Sequence, residues 1–131
     1  MSIEINWIRS DAELAQRCEH WNTLAFIALD TEFIRVDTFY PIAGLLQISD
    51  GESTDLIDPL LIEQWQPLAE VFSNQAVVKV LHACSEDLEV FSRLMGALPV
   101  PLFDTQVAAG YLNLGFSMGY SRLVQQLLDV E

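Results

Sequence analysis

Two carboxylates stand two residues apart directly after an apolar run. Asp30 and Glu32 follow residues 24–29, all of which are apolar. Side chains alternate along a β-strand, so a strand through this segment presents both carboxylates on one face. Like charges at that spacing repel each other unless a cation lies between them, and carboxylate oxygens are ligands for hard divalent cations. The pattern also fits a strand that runs out into solvent with both side chains hydrated.

A third carboxylate, Asp87, lies in the first turn of a predicted helix. Residues 82–91 read as a junction between a strand and that helix. An acid in the first turn is stabilised by the helix dipole whatever else it does, and Glu86 and Glu89 fit that role. Asp87 differs because it lies about one turn before Phe91, at the border of the predicted buried face. The position of Asp87 therefore leaves two interpretations open, a carboxylate that only stabilises the helix start and one that faces the same site as the first pair.

Several residues near these acids have two interpretations. Phe33 could pack against a bound ligand or fill the core. Phe39 and Tyr40 could stack on a base or belong to a turn. Arg35 could reach a phosphate or remain solvated. For His82 we predict a hydrogen-bonded structural role at the end of a strand.

The predicted elements that carry these residues alternate between strands and helices. Ser10 and Glu13 form a capping box that begins a helix over residues 11–20. Asp50 and Gly51 mark the turn of an antiparallel hairpin. Asp104 is assigned to helix capping rather than metal binding. Strands are predicted over residues 24–33, 42–49, 53–57 and 76–81, and helices over residues 60–73 with a fresh turn at Pro67, 85–95 ending at Gly96, 104–112 and 123–128.

This order, with a hairpin first and a crossover later, predicts an α/β fold. A ribonuclease H-like mixed sheet flanked by helices satisfies it. The 131 residues suffice for one compact domain, and a composition that is 51% hydrophobic and 19% charged excludes intrinsic disorder.

The excess of acidic residues argues against a protein that binds phosphate groups through a broad, positively charged surface. Six basic residues stand against 19 acidic ones, which gives a formal net charge of -13. Bound divalent cations, or a basic partner domain beyond residue 131, could supply the missing positive charge.

Compartment and redox state are also predicted. The apolar run at residues 24–29 is far shorter than the roughly 20 residues that a membrane span needs. The first residues lack an export signal, so we expect a cytoplasmic protein without a membrane partner. Cys18 and Cys84 form neither a disulfide framework nor a zinc site, and we expect both to be reduced.

Five stretches in order resemble the ribonuclease D family of DEDD exonucleases. They cover most of residues 24–112 and read Leu-Asp-Thr-Glu-Phe at 29–33, Tyr-Pro at 40–41 with Gly-Leu-Leu-Gln-Ile at 44–48, Leu-Ile-Asp-Pro-Leu at 56–60, His-Ala-Cys-Ser-Glu-Asp-Leu at 82–88, and Phe-Asp-Thr-Gln at 103–106.

The resemblance implies a role for each acid. Asp30 and Glu32 would form the first exonuclease motif and Asp87 the second, as catalytic residues that bind two Mg²⁺ or Mn²⁺ ions, with Asp30 bridging them. Thr31 and Phe33 would contact the substrate. The implied reaction is 3′→5′ hydrolysis of RNA that releases nucleoside 5′-monophosphates, with tRNA precursors as the substrates.

The third motif of that family, a Tyr followed four residues later by an Asp, would fall well beyond residue 112. In this chain Tyr120 is followed by Val124, and Asp129 is preceded by Gln125. We therefore expect residues 1–131 to be part of an exonuclease domain, with little or no activity alone. The alternative is a non-catalytic nucleic-acid-binding or scaffold module of the same fold. The sequence does not specify an oligomeric state.

Overall fold

The computed structural model describes residues 3–130, which fold around a six-stranded sheet. The elements in chain order are β1 (Glu4–Ile8), α1 (Asp11–Trp21), β2 (Phe26–Ile34), β3 (Ile42–Ser49), β4 (Ser53–Ile57), a 3₁₀ turn (Pro59–Leu61), α2 (Gln66–Ser73), β5 (Val78–Leu81), α3 (Ser85–Met95), β6 (Leu102–Asp104), α4 (Thr105–Tyr111) and α5 (Tyr120–Leu128).

The sheet is mixed, as the sequence predicted. Its strand order is β1-β4-β3-β2-β5-β6. β3 pairs antiparallel with both β2 and β4, which confirms the predicted hairpin. The pairs β1–β4, β2–β5 and β5–β6 are parallel. β2 therefore lies inside the sheet, between β3 and β5.

Two strands were not predicted. β1 and β6 lie at the two edges of the sheet. Each pairs in parallel with a strand that is not its neighbour in sequence, so no tight turn signals the pairing. β6 is also only three residues long. The predicted series of elements therefore lacks the two edge strands.

β2 ends one residue beyond the predicted strand. The strand runs through Asp30 and Glu32 to Ile34, with a register shift between Glu32 and Phe33. The predicted strand over residues 24–33 is therefore confirmed to within two residues at each end. The predicted alternation is confirmed, because Leu29 and Thr31 are buried while the two carboxylates are exposed.

The predicted helix boundaries follow their local signals. The amide of Glu13 donates to Ser10 Oγ at 3.2 Å, which confirms Ser10 as the N-cap of α1. The predicted capping box is only half formed, because the Glu13 carboxylate accepts from the Ser10 hydroxyl at 3.0 Å and not from the Ser10 amide. α3 ends at Gly96, whose φ of 66° is left-handed. Pro67 lies in the first turn of α2, where its missing N–H costs no helical hydrogen bond.

The main core lies on one face of the sheet, under α1, α2 and α3. Ile27 and Leu29 of β2 pack there with Trp21, Phe72 and Phe91 from the three helices. A smaller cluster joins Ala109, Met118 and Leu123 around α4 and α5. In the part of the chain that the structure describes, no helix is long and apolar enough to span a bilayer.

Candidate active site

Asp30 and Glu32 occupy the face of β2 that points away from the main core. Both side chains are exposed. On the neighbouring strand β3, Gln47 pairs with Asp30 and Leu45 pairs with Glu32. The pleat of β2 therefore places both carboxylates in solvent on one side of the sheet, where a ligand can reach them.

Asp87 is buried where the first turn of α3 meets β2. It is 7% exposed, and its Oδ1 accepts a hydrogen bond from the hydroxyl of Thr31. Burial raises the pKa of Asp87 to about 6. The hydrogen bond from Thr31 opposes that rise, while the negative charges of Asp30 and Glu86 add to it. Asp30 thus lies close enough to Asp87 for the two charges to interact.

The three acids have the chemistry that a hard cation needs. Carboxylate oxygens are the preferred ligands of Mg²⁺ and Mn²⁺, and a cation near Asp30 and Asp87 would relieve the repulsion between them. Their positions do not by themselves enclose an ion, since no group of three or more acidic, histidine or cysteine side chains within residues 3–130 is arranged to hold a metal. The shared metal site of Asp30, Glu32 and Asp87 therefore stays a prediction.

The two predicted substrate contacts differ in exposure. Thr31 is 6% exposed, and its hydroxyl has a partner inside the protein in Asp87. Phe33 is half-buried just after the register shift in β2. Contact with substrate stays a prediction for both residues, and the observed partner gives Thr31 a second role that its sequence position did not indicate.

Arg35 is paired with carboxylates of α3 instead of being free. Its guanidinium donates to Glu89 Oε2 and to the carbonyl of Phe39, and it lies 3.7 Å from Glu86 Oε2. Glu86 and Glu89 therefore have an ion-pair partner besides the helix dipole. No local sequence signal predicts these pairs, because Arg35 and Glu89 are 54 residues apart.

The connection between β2 and β3 lies against α3. The guanidinium carbon of Arg93 is 3.9 Å from the centre of the Tyr40 ring, a cation–π contact. Phe39 packs edge-on against Tyr40 at 4.8 Å, with 83% of its own surface exposed. The contacts of Tyr40 are thus within the protein, while Phe39 keeps an open ring.

A cavity of about 550 Å³ lies beside Asp30, between the exposed face of the sheet and α5. Its lining includes Gln47, Tyr120 and His82. His82 is hydrogen-bonded through both ring nitrogens, with Nδ1 2.8 Å from Thr105 Oγ1 and Nε2 2.8 Å from the Met118 carbonyl oxygen. The predicted structural role of His82 is confirmed.

Asp104 caps α4 as predicted, accepting from the amide of Gln106 at 2.8 Å. The same carboxylate also accepts from the amides of Ala83 and Cys84, each at 3.0 Å, which the sequence did not indicate. Burial disfavours its charge, but the hydrogen bonds from Cys84, Ala83 and Gln106 outweigh burial and lower the pKa of Asp104 to about 2.

A family model, a curated protein and a solved structure that match this chain agree on the family. A family model described as 3′-5′ exonuclease matches residues 5–131. Ribonuclease D of Pseudomonas paraeruginosa is 64% identical over 128 residues, covering 98% of this chain and 34% of that protein. The crystal structure of Escherichia coli RNase D, described as an exoribonuclease involved in structured RNA processing, superposes with a TM-score of 0.91 at 44% identity, covering 99% of this chain and 34% of the other.

A more distant structure shares the fold alone. Trypanosoma brucei RNase D, solved in complex with RNA U12, has a TM-score of 0.88 at 18% identity, covering 98% of this chain and 48% of that one. The chain spans about a third of the length of the curated relatives it matches.

Proposed function

The chain belongs to the 3′-5′ exonuclease family, and from that premise we propose that it is part of the exonuclease domain of a ribonuclease D. Its full-length protein would remove nucleotides from the 3′ ends of RNA, tRNA precursors among them, in the cytoplasm. Each turnover would hydrolyse the terminal phosphodiester and release a nucleoside 5′-monophosphate.

The observation that carries this proposal is the position of the three acids. Asp30 and Glu32 are exposed on one face of β2, and Asp87 lies in the first turn of α3, within electrostatic range of Asp30. Two exposed carboxylates, with a third buried one close enough to repel Asp30, form a set of oxygen donors that a divalent cation would stabilise.

Asp30, Glu32 and Asp87 would hold two Mg²⁺ or Mn²⁺ ions, with Asp30 shared between them. Such ions, when bound, activate the attacking water and stabilise the charge that develops on the leaving 3′ oxygen. The chain's own contribution is to fix the three carboxylates on rigid elements, two on an interior strand and one at a helix start. Phe33 and Thr31 would lie next to the terminal nucleotide.

The test is digestion of a 5′-labelled RNA with a free 3′ hydroxyl by the full-length protein in Mg²⁺ or Mn²⁺. We expect stepwise shortening from the 3′ end with release of nucleoside 5′-monophosphates. Asp30→Ala removes the proposed shared ligand, so its kcat should fall about a thousandfold or more. RNA that carries a 3′ phosphate should resist digestion.

Glu70→Ala is the matched control, because it also removes one exposed carboxylate but does so on α2, which packs on the opposite side of the sheet. Its activity should equal that of the unaltered protein. Full activity in Asp30→Ala would contradict the assignment of the site.

A scaffold or nucleic-acid-binding module is the second candidate. The observation that favours it is the engagement of Asp87 by Thr31, together with the lack of a three-ligand group in residues 3–130. On our proposal, residues 1–131 alone bind metal weakly and turn over little RNA, because hard cations need more ligands than three carboxylates supply. A full-length protein that binds RNA but never shortens it would favour the scaffold.

A further inference from the structure

The start of α3 is held from outside the helix. Within residues 3–130, no side chain caps this helix from its N-cap position, which is Cys84. The residue before it, Ala83, has a φ of 53°, in the left-handed region that costs a non-glycine residue energy. A turn of this kind keeps its shape only when the surrounding structure fixes it.

Asp104 supplies that fixation. Its Oδ1 accepts from the Ala83 amide and its Oδ2 from the Cys84 amide, both at 3.0 Å. The same Oδ1 accepts from the amides of Gln106 at 2.8 Å and Val107 at 3.4 Å. One carboxylate thus binds the backbone of two segments, the turn before α3 and the first turn of α4.

Asp104 is itself held firmly. β6, which ends at Asp104, pairs in parallel with β5, and Leu81 is its direct partner in the register. The next residue, Thr105, donates to the carbonyl of Leu81 at 3.2 Å and contacts His82. The carboxylate is therefore part of the same rigid sheet that carries Asp30.

Asp87 follows Cys84 by three residues in the first turn of α3, and its carboxylate reaches β2 through Thr31. A shift of the turn at Ala83 and Cys84 would also move Asp87, because the hydrogen-bonded first turn of a helix moves as one unit. We propose that Asp104 is a positioning residue, which fixes the start of α3 and thereby sets the distance of Asp87 from Asp30. This inference rests on the proposed function, in which those two carboxylates share cations.

The test uses the full-length protein with Asp104→Ser. A serine at the N-cap can still accept from the first amides of α4, but its short side chain cannot reach Ala83 and Cys84. Asp58→Asn is the matched control, because the Asp58 carboxylate also caps a turn, accepting from the Leu60 amide at 3.0 Å, away from α3. Three readouts are needed: amide hydrogen exchange, Mn²⁺ affinity by water proton relaxation, and kcat and KM on an RNA oligonucleotide.

In Asp104→Ser we expect hydrogen exchange at Cys84 and in the first turn of α3 to become about tenfold faster or more. The Mn²⁺ dissociation constant should rise about fivefold or more, and kcat should fall by about one to two orders of magnitude while KM stays within about twofold. Asp58→Asn should leave all of these values unchanged.

The inference is overturned if Asp104→Ser exchanges faster yet keeps the Mn²⁺ affinity and kcat of the unaltered protein. It is equally overturned if Asp58→Asn produces the same losses, since a general loss of stability would then explain them. If Asp104→Ser does not fold, Asp104→Asn replaces it, because the amide keeps the bonds of Oδ1 and loses only the acceptor for Cys84. Wild-type Mn²⁺ affinity in that variant would also overturn the inference.

The two proposals fail in different ways. An unaltered protein that neither binds Mn²⁺ nor shortens RNA contradicts the proposed function, and this inference falls with it. An unaltered protein that does both, alongside an Asp104→Ser variant that matches it, contradicts only the positioning role.

Discussion

Lys79 is a fully buried lysine, with no exposed surface at all, in the middle of β5. Its ammonium donates to the carbonyl oxygens of Asn74 and Val100, both at 2.8 Å. These bonds tie together the chain segments before and after β5 and α3, so the residue stabilises the strand next to β2. Burial lowers the pKa of Lys79 to about 8, because the charged form loses its hydration.

Lys79 should make stability depend on pH. Its pKa is lower in the folded state than the ordinary value near 10.5, so the unfolded chain binds more protons between pH 8 and pH 10.5 and stability rises with pH through that window. We expect the free energy of unfolding of the protein, relative to Lys79→Met, to increase by up to about 3 kcal/mol between these limits. Urea unfolding of both proteins at pH 7.5, 9 and 10.5 measures this difference in the free energy of unfolding.

The comparison with Lys79→Met also removes a competing effect. Burial raises the pKa of Cys18 to about 12, so the unfolded chain loses that proton first and stability falls at high pH. Both proteins contain Cys18, and its contribution cancels in the difference. A difference that does not change with pH would show that Lys79 is not desolvated as described.

At the scale of single elements, α3 connects the core to the candidate site. Phe91 packs edge-on against Phe72 of α2 at 4.9 Å, while Asp87 at the other end reaches β2. The helix therefore links the two regions, because its first turn carries Asp87 and its buried middle is anchored in the core. Its end is set locally by the left-handed Gly96.

Gly96→Ala should weaken the end of α3. Among the described residues nothing lies within 4 Å of an added Cβ, so only the left-handed backbone opposes the change. We expect a loss of about 1 kcal/mol in the free energy of unfolding. Gly119→Ala is the control, since Gly119 also has open space but a φ of -65°. Denaturant unfolding should show no loss for the control, and equal losses in both variants would refute the argument.

At the scale of the whole molecule, negative charge dominates. A net charge of -13 on 131 residues makes the folded chain repel itself, so any added salt should stabilise it by screening. A specific cation site would add stability beyond screening, because a ligand that binds only the folded state stabilises it by mass action.

We therefore expect MgCl₂ to raise the melting temperature by a few degrees more than NaCl at the same ionic strength. Asp30→Asn should abolish that difference between the salts, whereas Glu70→Gln on α2 should preserve it. The measurement is thermal unfolding followed by circular dichroism, in which each variant is compared with itself in the two salts. Identical curves in both salts for the unaltered full-length protein would contradict a Mg²⁺ site at Asp30.

The sequence by itself determined whatever depends on near neighbours. The features that follow from backbone preferences and side-chain periodicity over a few residues are the N-cap at Ser10, the hairpin turn at Gly51, the stop at Gly96 and the shared face of Asp30 and Glu32. The predicted order of the elements indicated a mixed sheet, which is confirmed. The family resemblance assigned roles to Asp30, Glu32 and Asp87, and those roles stay predictions.

Only the tertiary structure decided which distant groups meet. The bond from Thr31 to Asp87 spans 56 residues, the Arg35–Glu89 pair spans 54, and the bond from the Cys84 amide to Asp104 spans 20. The parallel pairing of the edge strands β1 and β6 belongs to the same class. Each such contact forms because packing of the sheet and helices brings two segments together, and neither segment alone carries the information that specifies its partner.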